Sequence, residues 1–228
     1  MASAEFSFKK YQVENGLSHN TTWCAIQDSY GFLWIGTSNG LNCYYGSGNK
    51  IYRNVLNDKY SLGNNFVSSL MEEGEDLWIG TSSGLYIYDR SDDHFLYFDK
   101  TTKYGVFISC EVKKIVKTKN GLIWIATLGQ GIFIYDPVNV LTQNSIRTFF
   151  AWDICQGTDS LVYVSSMQEG LLCFDEEGTF LQNYPVSSEL SIGNQRINCL
   201  HSIEHEIWCG VGTNSLGCYQ EGSRELKI

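Results

Sequence analysis

The chain has 228 residues, of which 43% are hydrophobic and 18% are charged, and its formal net charge is −9. This composition supports a buried core and excludes both an intrinsically disordered chain and a coiled coil. The acidic balance without clustered lysine and arginine argues against nucleic acid and anionic membrane surfaces as partners, and no apolar run is long enough to insert into a bilayer.

The first predicted element is a strand at residues 5–13, where aromatic and polar residues alternate. It resembles the outer strands of the later repeats but precedes the first of them. We therefore predict an unpaired outer strand that closes a ring against the last blade. Residues 1–5 lack the basic and apolar regions of a secretory signal, which indicates either a cytoplasmic protein or a signal already removed.

A repeated segment follows, and its clearest copy runs from Leu33 to Thr37 and continues with Gly40 and Leu41. Five copies share an aromatic anchor in the central strand: Trp34, Trp78, Trp124, Tyr163 and Trp208. Successive anchors lie 44, 46, 39 and 45 positions apart. A period of this length, with four short strands per unit and glycine-rich turns, is typical of a β-propeller blade.

The predicted fold is therefore all-β, and residues 1–228 form a single β-propeller region of four-stranded antiparallel blades. About five blades are present by the count of anchors. Their predicted extents are 17–55, 64–100, 109–148, 149–187 and 195–228. An arc of this size that does not close has two exposed edges, which would favour a homodimer.

The recurrent positions predict the core. The five anchors are expected to be buried, and a small residue two positions later indicates a close approach of a neighbouring blade; this slot includes Gly36, Gly80 and Gly210. An aromatic residue in each third strand, such as Tyr88, is expected to face the following blade. Cysteines in isoleucine slots, such as Cys209, are interpreted as small buried hydrophobes.

Trp23 and Trp152 do not recur from blade to blade, so they are the candidates for an aromatic ligand platform. Asn20 belongs to the turn that precedes Trp23 and is the third candidate. The other aromatic residues are assigned to packing between blades, so few remain for a sugar site. Such a site also needs several convergent polar groups. We therefore expect weak or no oligosaccharide binding by this chain alone, and the remaining ligand-binding residues stay unknown.

No metal, cofactor or catalytic residue is predicted. His201, Glu204 and His205 match a zinc peptidase motif, but on a predicted strand the two histidines lie roughly 13 Å apart, too far to share an ion. Aspartates that end the third strands, such as Asp89, are interpreted as turn formers.

The pattern Gly16-Leu17-Ser18-x-Asn20, followed by Gln27-Asp28-x-x-Gly31-Phe32-Leu33-Trp34-Ile35-Gly36-Thr37, resembles the two-component regulator propeller repeat. The resemblance implies the periplasmic sensor region of hybrid histidine kinases of Bacteroidetes, which detect glycan-derived oligosaccharides and regulate polysaccharide utilisation. Ectodomains of this family carry more blades and begin with a signal peptide. The resemblance thus implies an incomplete part of a seven-bladed ring, joined to the remainder of a sensor kinase chain.

Two alternatives to a non-catalytic sensor stay open. One is a scaffold propeller whose rim binds another protein. The other is a sialidase-like glycan hydrolase, because Asp28-x-x-Gly31 faintly resembles an Asp-box. Such enzymes clamp a carboxylate with three convergent arginines. The arginines here are spread one per blade and give no sign of convergence: Arg53, Arg90, Arg147, Arg196 and Arg224.

Overall fold

The computed structural model describes residues 10–46, 48–98, 107–139, 141–145, 148, 150–186, 196–212, 214–223 and 226–227, with the backbone alone for 141–145. Most of the strand predicted at 5–13 lies outside these residues. Its described end is not in a strand, and Val13–Asn15 form a short 3-10 helix. Gly16 ends that helix at φ +96°, a left-handed conformation that glycine adopts without strain.

Twenty strands make up the rest of the described fold. The first sheet contains β1 (Thr22–Gln27), β2 (Leu33–Thr37), β3 (Gly40–Tyr44) and β4 (Asn49–Tyr52). The second contains β5 (Val67–Glu73), β6 (Asp76–Thr81), β7 (Gly84–Asp89) and β8 (His94–Tyr97). The third contains β9 (Glu111–Lys117), β10 (Ile123–Leu128), β11 (Ile132–Asp136) and β12 (Leu141–Ser145). The fourth contains β13 (Ala151–Gln156), β14 (Val162–Ser166), β15 (Gly170–Phe174) and β16 (Phe180–Tyr184). The fifth contains β17 (Ile197–Ile203), β18 (Glu206–Val211), β19 (Ser215–Gln220) and β20 (Leu226–Lys227).

Each sheet is a four-stranded antiparallel meander in chain order. The prediction of an all-β propeller built from such blades is confirmed. The inner strands β1, β5, β9, β13 and β17 pack on one another in sequence. Among the described residues, no comparable packing joins the fifth sheet to the first.

Aromatic pairs between neighbouring sheets form the core. The central-strand anchors Trp34, Trp78, Trp124 and Tyr163 are at most 2% exposed. Their ring centres lie 5.2, 5.4, 5.8 and 5.5 Å from the third-strand rings of the following sheet, which are Tyr88, Tyr135, Phe174 and Tyr219. The third-strand ring therefore faces the preceding blade, the reverse of the expectation from the sequence, because the anchor behind it fills the space between the sheets.

The small residue after each anchor makes room for the next inner strand. A Cβ atom on Gly36 would lie 2.7 Å from Cγ1 of Val67, and one on Gly80 would lie 2.7 Å from Cγ1 of Val112. Any larger side chain at either position would force neighbouring sheets apart. Glycine here is a requirement of inter-sheet packing rather than of backbone conformation.

The fifth sheet departs from this pattern. Trp208 is only partly buried, and Leu216 on the neighbouring strand is 60% exposed. A Cβ atom on Gly210 would meet only Cys199, which belongs to the same sheet. Trp208 therefore does not have the buried environment predicted for it, because no following sheet packs over it in the described structure.

All eight cysteines are free thiols. Cys43, Cys173 and Cys209, which occupy isoleucine slots of the repeat, are buried, and Cys218 is partly buried. Burial raises the pKa of Cys209 to about 12, so its thiol stays protonated at neutral pH. These side chains act as apolar filler between sheets.

Candidate functional site

A β-bulge interrupts every inner strand at the same place. In β1 the pairing with β2 skips one residue between Thr22 and Cys24, and the other four inner strands skip one residue at the equivalent point. The skipped residues are Trp23, Ser68, Lys113, Trp152 and Asn198. A bulge turns one side chain out of the ladder, and bulges are frequent beside active sites.

The five bulge residues line one pocket of about 460 Å³. Residues next to them, including Lys114 and Asp153, complete its wall. We call this cavity the central pocket, because all five inner strands contribute to it. Its most prominent feature is Trp23, which is 50% exposed.

Cations and indole rings alternate in the central pocket. Nζ of Lys113 lies 4.1 Å from the ring centre of Trp152 and 5.9 Å from that of Trp23. The guanidinium of Arg196, one residue before β17, lies 5.2 Å from the Trp152 ring. Both distances to Trp152 are within the range of cation–π attraction, which holds the cations beside the rings.

Two polar atoms beside this pocket are buried without a hydrogen-bond partner among the described residues. They are Nε of Arg196 and Oδ1 of Asn198. The amide nitrogen of Asn198 donates to the carbonyl of Gly212, which fixes the side chain. A buried polar atom without a partner costs free energy, and both of these atoms are covered by protein in the described structure.

The thiol and carboxyl groups of the lining are held by the fold. Burial raises the pKa of the Cys24 thiol to about 12, so it is not a nucleophile at neutral pH. The Asp153 carboxylate accepts hydrogen bonds from the backbone amides of Leu200 at 2.8 Å and Ile154 at 2.9 Å. Among the described lining residues, no nucleophile is paired with a general base.

The structure brings two of the three sequence candidates together. Trp23 and Trp152 line the central pocket, whereas Asn20 does not. The Oδ1 atom of Asn20 instead accepts a hydrogen bond from the backbone amide of Val13 at 2.9 Å, so this side chain stabilises the N-terminal turn.

The prediction from sequence did not include Ser68, Lys113 and Asn198, although they occupy the same repeat slot as the two tryptophans. The slot holds four different residue types in its five copies: Trp in two, and Ser, Lys and Asn in the others. That variation beside an otherwise regular core pattern is the signal that could have identified them.

A second pocket of about 460 Å³, the side pocket, lies between the first and second sheets. Tyr30, Phe32 and Tyr45 are its exposed aromatic residues. Its charged groups already have partners within the chain: Arg90 with Asp28 and Glu72, Lys50 with Asp93, and Glu75 with the Tyr30 hydroxyl. The central pocket, in contrast, retains unpartnered polar atoms and is the stronger candidate.

The zinc peptidase motif forms no metal site in the described structure. His201 lies on β17, and Nδ1 of His205 contacts Oγ1 of Thr158 at 2.8 Å and a carboxylate oxygen of Glu221 at 3.3 Å. Among the described residues, no group of three histidine, cysteine or acidic side chains could hold a metal ion.

The strand-ending aspartates bind turn amides. Oδ1 of Asp89 accepts from the amide of Ser91 at 2.9 Å, and Oδ1 of Asp136 accepts from the amide of Val138 at 2.8 Å. Hydrogen bonds from the Ser91 side chain and backbone lower the pKa of Asp89, as expected of a carboxylate that holds a turn.

The described arginines do not form a clamp. Arg53 donates to the carbonyl of Asn39, Arg90 pairs with Asp28 and Glu72, and Arg196 lies over the ring of Trp152. Arg147 and Arg224 lie outside the described residues.

Residues 16–39 match the sequence profile of the family described as two component regulator propeller. The chain carries a two-component regulator propeller repeat. A 60-residue stretch is 40% identical to histidine kinase P4 of Formosa agariphila and covers 26% of this chain and 4% of that protein. The matched residues 16–39 contain the N-terminal turn and the first two strands of the first blade, β1 and β2.

Solved propellers share the fold of this chain. The extracellular domain of the putative hybrid two component system BT3049 from B. thetaiotaomicron superimposes with a TM-score of 0.76 at 19% identity, over 96% of this chain and 31% of that domain. A virginiamycin B lyase from Staphylococcus aureus superimposes with a TM-score of 0.72 at 12% identity, over 98% of this chain and 74% of the lyase. Identities this low establish the fold alone.

The described part of the chain contains no helix with the length and apolar character needed to cross a membrane.

Proposed function

We propose that this chain is a non-catalytic, ligand-binding sensor propeller of a two-component signalling receptor. It lies outside the cytoplasm, in the periplasm, as part of a longer sensor kinase chain. Its ligand is an oligosaccharide derived from glycan breakdown, and its output regulates polysaccharide utilisation. The repeat match at residues 16–39 and the extracellular location of the similar hybrid two component domain support this assignment.

The observation that carries the proposal is the ring of bulge residues. Five inner strands each turn one side chain toward the same pocket, and two of these side chains are tryptophans that serve no core role. Sugar rings present apolar C–H faces and hydroxyl edges, so an indole face beside unpartnered polar atoms such as Oδ1 of Asn198 suits them. This convergence supplies the polar groups that the repeat pattern alone did not reveal.

A non-catalytic role agrees with the chemistry of the pocket. The virginiamycin B lyase shares the fold, but a shared propeller does not carry a shared reaction. The sialidase-like alternative needs three arginines at one point, and the described arginines occupy separate environments. Sensing also requires that the ligand favour one of two receptor states, which calls for contacts with other parts of a receptor.

A protein-binding scaffold is the second candidate. The observation that favours it is the exposed face of the fifth sheet, where Trp208 and Leu216 have no covering sheet among the described residues. The same face would serve in a homodimer. The two functions use different surfaces, so variants can separate them.

Calorimetric titration with a panel of plant, host and microbial oligosaccharides tests the sensor proposal. We expect saturable binding of one glycan class, weakened at least about tenfold by Trp152→Ala, equivalent to about 1.4 kcal/mol. Tyr45→Ala, which removes an exposed ring of the side pocket, is the matched control and should leave affinity unchanged.

Failure to bind any member of the panel would contradict the proposed function. Equal losses in Trp152→Ala and Tyr45→Ala would show that the central pocket is not the site. Cleavage of any oligosaccharide during the titration, detected by chromatography, would establish a hydrolase instead.

A further inference from the structure

The central pocket is positively charged in a chain that is strongly acidic overall. Lys113 and Lys114 of β9 line it, and the guanidinium of Arg196 lies behind the lining, 5.2 Å from the ring centre of Trp152. Lys113 and Lys114 are neighbours on β9, whereas Arg196 lies far from them in the sequence and meets Lys113 beside Trp152 only through sheet packing. In a protein with a net charge of −9, their convergence is not a consequence of composition.

Internal carboxylates compensate these cations only in part. Nζ of Lys113 lies 3.0 Å from Glu111 at the edge of the pocket, and Nζ of Lys114 lies 3.6 Å from Asp153. The Asp153 carboxylate is also held by two backbone amides. Arg196 has no carboxylate partner within the described part of the chain, and its Nε is buried and unpartnered.

The two unpartnered atoms differ chemically, and this difference narrows the class of ligand that suits the pocket. Nε of Arg196 is a donor on a permanently charged group, and such a group is best satisfied by an anionic oxygen. Oδ1 of Asn198 is an acceptor and requires a donor such as a sugar hydroxyl. Acidic sugars carry both an anionic group and hydroxyls.

We propose that the central pocket selects acidic oligosaccharides, which bear carboxylate or sulfate groups, over neutral ones; this rests on the proposed function. The sugar ring stacks on the exposed face of Trp23. The anionic group binds between Arg196 and Lys113, which already lie 5.2 Å and 4.1 Å from the ring centre of Trp152. Trp152 positions the two cations and is not itself the stacking surface.

A matched pair of ligands tests the charge preference directly. Trigalacturonate and its methyl ester share the same backbone and differ in their negative charges. In calorimetric titrations at low salt, we expect trigalacturonate or a sulfated disaccharide to bind at least about tenfold more tightly than the ester. Raising the salt concentration should reduce that preference, because ion pairing is screened.

Two cation variants assign the preference to the pocket. Arg196→Gln and Lys113→Gln should each reduce the preference for the charged ligand at least about fivefold, with little change in affinity for the ester. Lys50→Gln is the matched control: its ammonium also lies over an aromatic ring, 4.7 Å from the centre of Tyr52, but in the side pocket. This control should bind like the unmodified chain.

The outcomes separate this inference from the proposed function. If the ester or other neutral oligosaccharides bind as tightly as the charged ones, the charge preference is wrong and the sensor proposal stands. If Lys50→Gln reduces binding as much as Arg196→Gln, the attraction is non-specific and the inference fails. If no oligosaccharide of either kind binds, both proposals fail. Tight binding of the sulfated ligand alone would support the inference and identify sulfate as the anion.

Discussion

Replacing Trp78 by alanine is expected to lower the free energy of unfolding by about 3–5 kcal/mol. Trp78 is 2% exposed, and its ring centre lies 5.3 Å from that of Phe98 and 5.4 Å from that of Tyr135. The substitution removes the aromatic contact that joins the second sheet to the third and leaves a cavity between them. Urea titration of the unmodified and variant chains measures the loss.

Trp208→Ala provides a control at the same repeat position. Trp208 occupies the equivalent slot but is only partly buried, because no described sheet covers it. Its replacement should therefore cost clearly less than that of Trp78, and replacement of the half-exposed Trp23 should also cost little. Equal denaturation midpoints for Trp78→Ala and Trp208→Ala would contradict the assignment of the core to inter-sheet packing.

Replacing Asp28 by alanine is expected to cost about 3–5 kcal/mol, because it breaks a buried ion pair and leaves Arg90 with Glu72 as its remaining carboxylate partner among the described residues. Asp28 is 5% exposed. Its carboxylate accepts hydrogen bonds from Nε1 of Trp34 at 2.7 Å, from the amide of Phe32 at 2.8 Å and from Arg90 at 2.8 Å. Alanine would leave these three donors without their acceptor.

Asp136→Ala is the control for this substitution. Asp136 also ends a strand and accepts turn amides, but it has no buried arginine partner among the described residues. Asp136→Ala should lower the free energy of unfolding less than Asp28→Ala does, since water can replace the hydrogen bonds of Asp136. A similar destabilisation in both variants would show that the turn amides, rather than the buried network of Asp28, dominate.

The contribution of Asp28 should also depend on pH. Burial by itself would raise the pKa of Asp28, but hydrogen bonds from Trp34 and Arg90 and the nearby positive charge outweigh it and lower the pKa. A carboxylate whose folded pKa lies below its unfolded value of about 3.9 stabilises the fold above that value. This contribution of Asp28 to stability is lost as the pH falls through the folded pKa.

The difference in denaturation midpoint between the unmodified chain and Asp28→Ala should therefore be constant near neutral pH and shrink below about pH 4. A difference that stays constant in acid would exclude this ionic contribution.

The sequence alone was sufficient to predict the propeller. Each blade is specified locally by the Leu-Trp-Ile-Gly-Thr type of central strand, by glycine turns and by the alternation of the third strand, as in Leu33–Thr37 and Gly40–Tyr44. These signals lie within a few residues of one another, so they can be recognised without knowledge of tertiary contacts. Repetition then indicates that identical units stack side by side.

Only part of the candidate site could be predicted from the sequence. Trp23 and Trp152 could be selected because they interrupt the repeat, but Asn20 belongs to a local turn that uses its side chain for a backbone hydrogen bond. Lys113 and Asn198 were missed although their repeat slot varies from blade to blade, and Arg196, which lies outside that slot, could not be selected. Polar residues on inner strands are common, and nothing near them in the chain marks them as members of one pocket.

Tertiary structure decided three things that local sequence does not encode. The bulge that turns Trp23 inward is defined by pairing with the neighbouring strand, so it exists only once the register is fixed. The face on which each third-strand ring packs, and the uncovered face at Trp208, depend on which sheets are neighbours. Lys113, Trp152 and Arg196 belong to three successive sheets, so they come together only when those sheets pack. A blade can be recognised from residues close together in the sequence, whereas this pocket is formed by residues that are far apart in it.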